Sequence, residues 1–172
     1  MGEREKILNK ALASINLQIG QIVDISACYE TEPWGFSSPE YFLNQAVMVE
    51  TALSPNQILN LIHLIETGNG REREKKSGYS SRTIDIDILF YDDEIINSES
   101  LSIPHPQLHN RKFVLAPLCE IAPSKIHPVL KKSIQNLLDE CHDPSLVRIY
   151  SKATTEKTSI TVWILPNTTT FR

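Results

Sequence analysis

Asp85 and Asp87 are the residues of this 172-residue chain whose type and spacing speak most directly of chemistry. They lie in the run Thr83-Ile-Asp-Ile-Asp-Ile-Leu-Phe-Tyr91, where β-branched and aromatic residues alternate with the acids and predict a strand. Alternate side chains of a strand share a face, so the two carboxylates project together while Ile84, Ile86 and Ile88 pack on the opposite side. Two carboxylates in one small volume repel unless a cation neutralises them. Hard oxygens at this spacing suit Mg²⁺, which keeps waters and substrate phosphates in its shell. Taken alone, the same pattern also fits two aspartates facing solvent on a half-buried strand. Arg71, Arg73, Lys75, Lys76 and Arg82 stand just upstream, and cations beside paired carboxylates are what phosphoryl transfer demands. On its own that loop also reads as solvated charge, with Glu72 and Glu74 interspersed.

Other chemistries are excluded by what the sequence lacks. No G-x-x-x-x-G-K-[ST] and no G-x-G-x-x-G occurs, so a phosphate site here is of another kind. His105 and His109 have the i, i+4 spacing of a zinc pair, but Pro104 and Pro106 interrupt the helix such a pair needs. Cys28, Cys119 and Cys141 are odd in number and far apart, and make neither a disulfide framework nor a zinc pattern. With 17 basic and 21 acidic residues the net charge is -4, which argues against broad binding to nucleic acid. The longest apolar run is far shorter than the ~20 residues of a spanning helix, and a cytoplasmic protein with no membrane role is expected.

The elements that must position these residues follow from periodicity. Ile7, Leu8, Ala11, Leu12, Ile15 and Ile19 predict an amphipathic helix over 3–19, which Gly20 stops. Strand signals follow over 22–29 and 45–51. Ser54, Pro55 and Gln57 mark a capped helix start, with Ile58, Leu61, Ile62 and Ile65 as its apolar face. Short turns and helices are expected at 103–106, 113–120 and 134–140. One domain over 1–150 is predicted, then a tail over 151–172 that is polar except for the strand-like Ile160-Thr-Val-Trp-Ile-Leu165. The order of elements implies an α+β fold with helices packed on an antiparallel-rich sheet.

Five segments in order resemble the hydroxymethyldihydropterin pyrophosphokinase family: Tyr29-Glu-Thr-Glu-Pro-Trp-Gly35, Phe42-Leu-Asn44, Gly70-Arg-Glu-Arg73, Ser81-Arg-Thr-Ile-Asp-Ile-Asp-Ile88, and Ile103-Pro-His-Pro106 leading to Asn110-Arg-Lys-Phe113. The resemblance implies a ferredoxin-like α/β sandwich that moves pyrophosphate from ATP to 6-hydroxymethyl-7,8-dihydropterin in folate biosynthesis, with AMP as the other product. It implies that Asp85 and Asp87 hold two Mg²⁺ ions, and that Arg71 and Arg82 clamp the triphosphate. Glu66, Arg73, His105 and Arg111 match nucleotide-contacting positions. For the pterin it implies Asn44 at the ring edge, Phe113 on the ring face, and the loop of Thr31, Glu32 and Trp34. Chemically this is sensible, because a flat polar heterocycle suits an aromatic face and an amide that both donates and accepts. The implied partners are small molecules only, acting on a monomer.

Two departures stand out. Gly78-Tyr-Ser-Ser81 replaces the usual Trp-Gly-Pro, which leaves open whether Lys75 or Lys76 meets phosphate. Family members also open with a strand, then Gly-Ser-Asn and a Gly-Asp-Arg helix start, whereas this sequence opens at Met1-Gly-Glu-Arg4. The expected first strand is therefore absent from the sequence as it stands. Either translation begins upstream of Met1, or residues 159–166 fold back into the vacant position. If the strand is genuinely lost, an inactive pterin- or nucleotide-binding relic is the alternative function.

Overall fold

The structure, a computed structural model, describes residues 3–31, 41–69, 84–150 and 157–166. Helix α1 (Glu3–Gln18) leads to strands β1 (Gln21–Ile25), β2 (Tyr29–Thr31) and β3 (Phe42–Thr51), and helix α2 (Pro55–Gly68) is followed by strand β4 (Ile84–Tyr91). The short strands β5 (Ile96–Asn97) and β6 (Ser102–Ile103) form a separate antiparallel pair. Helices α3 (Lys112–Ile121) and α4 (Ile134–Asp139) precede strands β7 (Val147–Ile149) and β8 (Lys157–Pro166). Among the described residues no helix is long and apolar enough to cross a membrane.

Gly20 ends α1 for a reason beyond helix propensity. A Cβ there would stand 2.2 Å from the carbonyl oxygen of Glu50, so the close approach of α1's exit to β3 admits no side chain. At the start of α2, Gln57 Oε1 accepts from both the backbone N–H and the hydroxyl of Ser54, each at 2.9 Å. The predicted capping box between Ser54 and Gln57 is formed.

The single strand expected over 22–29 is two strands that share one edge of β3. Ile25 pairs with Val47 and Tyr29 with Asn44, so this side carries one residue more than its partner, which is a bulge. Ser26 repairs it: its N–H donates to Ala46 O at 2.9 Å, and its hydroxyl accepts from the Ala46 N–H at 3.0 Å. Replacing Ser26, which is buried, by alanine strands that N–H away from water. The Ser26→Ala protein is expected to lose about 1–3 kcal/mol, read as a lower urea midpoint at unchanged slope.

The main sheet runs β4, β8, β3, β2, β7, with β1 beside β3. Its pairs among β1, β2, β3 and β7 are antiparallel, but β8 lies between β3 and β4 and runs parallel to both. The apolar segment of the tail therefore holds the centre of the sheet. One face packs on α1 and α2 through Val47, Val49, Ile84, Ile86, Ile160, Val162 and Ile164. The other packs on α3 and α4 through Ala46, Leu89, Phe90 and Trp163. This is an α/β sandwich with helices on both sides of the sheet.

Candidate active site

The three central strands are in register, which puts defined rows of side chains on the α3 side of the sheet. Ser159 pairs with Asn44 on one side and Asp85 on the other; Thr161 pairs likewise with Ala46 and Asp87. Paired residues point to one face, so Asn44, Ser159 and Asp85 form a row across β3, β8 and β4. With strands ~4.8 Å apart, Asn44 and Asp85 stand roughly 10 Å from each other. Both aspartates are half-buried, while Ile84, Ile86 and Ile88 are buried on the opposite face as the alternation predicts. A register shift between Ile88 and Phe90 then turns Leu89 and Phe90 together into the α3–α4 core. The polar part of the face ends there.

Thr31 and Asn44 are both buried, and Asn44 Nδ2 donates to Thr31 Oγ1 at 2.7 Å. β2 is braced from two sides. Tyr29 Oη donates to Glu120 Oε2 at 2.9 Å, and burial together with that carboxylate pushes the phenol up to about 12. Glu30, nearly buried, accepts at one oxygen from Arg148 Nε at 3.0 Å and Nη2 at 2.7 Å, and the Arg148 guanidinium lies 5.5 Å from the Tyr41 ring centre. These contacts fix β2 against α3 and β7.

On the opposite side, β4 is the edge strand and needs partners for its outward backbone groups. The buried Glu66 of α2 supplies one: its Oε1 accepts from the Ile86 N–H at 3.0 Å. A carboxylate from the helix thus anchors the backbone between the two aspartates.

The Ile103–Pro104 peptide is cis, and the His105 N–H donates to Leu89 O at 3.0 Å, which holds the histidine against β4. Burial keeps the His105 imidazole below its ordinary pKa, while Asp87 pulls it up and Arg111 pushes it down. Its Nδ1 accepts from the Gln107 N–H at 3.2 Å, which leaves the ring proton of the neutral form on Nε2. The Arg111 guanidinium lies 5.8 Å from the centre of the Phe113 ring. His109 faces His127, with ring centres 6.5 Å apart.

Of the residues singled out from the sequence, the fold thus joins Asp87, His105 and Arg111 on one side and Thr31 with Asn44 on the other. Phe113 adjoins Arg111, and Glu66 braces the acidic strand. Glu32, Trp34, Arg71, Arg73 and Arg82 lie outside the described residues. Ser159 and the Glu30–Arg148 pair were not singled out. Alternating apolar residues in the tail were the only signal pointing to Ser159, and nothing local marks a pair 118 positions apart.

The family model described as 7,8-dihydro-6-hydroxymethylpterin-pyrophosphokinase matches residues 1–123. The chain belongs to this family. A 2-amino-4-hydroxy-6-hydroxymethyldihydropteridine pyrophosphokinase of Porphyromonas gingivalis is 41% identical over 130 residues, covering 74% of this chain and 88% of the relative. The protein of the same name from Bacillus subtilis is 42% identical over 122 residues, 70% of this chain and 72% of the relative. A Folic acid synthesis protein fol1 of Pneumocystis carinii is 38% identical over 143 residues, covering 83% of this chain but 19% of that longer protein. The pyrophosphokinase match takes in β1 to β4 and α3, the elements that carry the acids, the Thr31–Asn44 pair and Phe113.

Proposed function

We propose that this chain transfers pyrophosphate from ATP to the hydroxymethyl oxygen of 6-hydroxymethyl-7,8-dihydropterin, giving AMP and the pterin methyl diphosphate for folate synthesis. The observation that carries the reading is the row Asn44, Ser159, Asp85: an amide suited to a heterocycle edge and a carboxylate pair share one sheet face, roughly 10 Å apart. In this reading the pterin lies over Asn44 and Thr31, with Phe113 against its ring and the loop of Glu32 and Trp34 beside it. ATP lies over β4.

The donor set fits Mg²⁺. Two half-buried carboxylates on one face are hard oxygen donors of the kind Mg²⁺ prefers. That is the chemistry of an ion shared with substrate phosphates. Asp85 and Asp87 would hold two such ions, which would supply charge neutralisation across the triphosphate. Arg71 and Arg82 clamp the phosphate oxygens, and Glu66, Arg73, His105 and Arg111 form the nucleotide side. The neutral His105, with its proton on Nε2, donates a hydrogen bond to an anionic oxygen without gaining charge. A new bond forms from the pterin hydroxyl oxygen to the β-phosphorus as the bond from that phosphorus to the AMP oxygen breaks, and the hydroxyl proton passes to solvent. The enzyme acts as a monomer in the cytoplasm, where ATP is supplied.

A coupled assay for AMP release decides between this enzyme and an inactive binding relic. Turnover is expected only with ATP, Mg²⁺ and hydroxymethyldihydropterin all present. AMP release that ignores the pterin, or none under any condition, defeats the reading.

A further inference from the structure

We infer that Ser159, from the C-terminal strand, forms the floor where the two substrates meet, and that the position requires a small side chain. This rests on the proposed function, which places the pterin over β3 and the nucleotide over β4. Ser159 is in register with Asn44 and with Asp85, so it occupies the single strand position between the two subsites. It is half-buried, unlike Ile160, Val162 and Ile164, which are wholly buried on the other face. Further along β8 on the same face stand Thr161, buried beside Asp87, and Trp163, packed into the α3–α4 core. Side chains therefore grow along the strand from the polar end towards the core.

The chemistry requires contact across this column. The pterin oxygen must reach the β-phosphorus to within ~3–3.5 Å before the bond can form, and the two ligands approach from neighbouring strands on either side of β8. A side chain larger than serine at 159 rises into the gap between them. It therefore obstructs the second ligand more than the first.

The test compares Ser159→Ala, Ser159→Val and Ser159→Leu by calorimetric binding and by AMP release. For Ser159→Leu, affinity for a Mg²⁺-bound, non-hydrolysable ATP analogue is expected within about threefold of wild type. Affinity for the pterin on analogue-saturated protein is expected to fall at least ~30-fold, with AMP release falling in parallel, as a 1 Å misplacement of reacting groups can lose about 100-fold. Ser159→Ala, which adds no bulk, should keep at least ~10-fold more pterin affinity and AMP release than Ser159→Leu. Should the leucine variant fail to fold, Ser159→Val, whose branched side chain favours strands, reads the same effect at about tenfold. Leucine or valine variants that melt like wild type and bind the second ligand normally would overturn the inference, as would an alanine variant as impaired as leucine. Wild-type protein that binds both ligands without releasing AMP defeats the proposed function alone, and the binding series still decides the role of Ser159.

Discussion

Asp87→Ala is expected to lower kcat at least about 100-fold while leaving the protein as stable as wild type or slightly more so. The catalytic loss follows because one carboxylate cannot seat a metal pair, and groups that stabilise transition-state charge typically contribute ~100-fold or more. The stability has the opposite sign. Asp85 and Asp87 share one face of β4, so two like charges stand close together and removing one relieves repulsion. Melting curves separate the two effects. Mg²⁺ with an ATP analogue should raise the wild-type melting temperature, as a ligand that binds only the native state does, and should leave Asp87→Ala nearly unmoved. Activity within about threefold of wild type would end the assignment of the acids.

Truncation after residue 152 is expected to abolish cooperative folding. β8 fills the space between β3 and β4, and its Ile160, Val162 and Ile164 are fully buried against α1 and α2. Cutting a single such side chain to alanine typically costs about 2–5 kcal/mol, whereas a whole domain is stable by only ~5–15 kcal/mol. Deleting three, together with backbone hydrogen bonds to both neighbours, exceeds what the rest of the fold can offset. A truncated chain that melts at the wild-type temperature would show that the strand contributes nothing. Ile160→Ala gives the graded version, with a loss of about 2–5 kcal/mol expected in urea.

Much of this molecule was legible before its fold was known, where the information is local. The alternation of Asp85 and Asp87 with three isoleucines assigns each residue of β4 to a face, and the structure keeps that assignment. The repeat from Ile7 to Ile19 gives α1, and Ser54-Pro55 gives the start of α2. The split of residues 22–29 into two strands was not legible, because it depends on a hydroxyl of Ser26 meeting a backbone amide 20 positions away.

The sequence alone decided which chemical groups the protein owns and which sheet face each occupies, since side-chain period and residue type are properties of neighbours in the chain. It also determined the family, through ordered motifs from Tyr29 to Phe113. Only the tertiary structure decided which strand lies between the acids and Asn44, and that it comes from the carboxyl-terminal segment, parallel to both neighbours. It likewise brought Arg148 to Glu30 and His105 to Asp87. Pairings of this kind join segments far apart in the chain through burial and backbone hydrogen bonding, and no short window of residues encodes them.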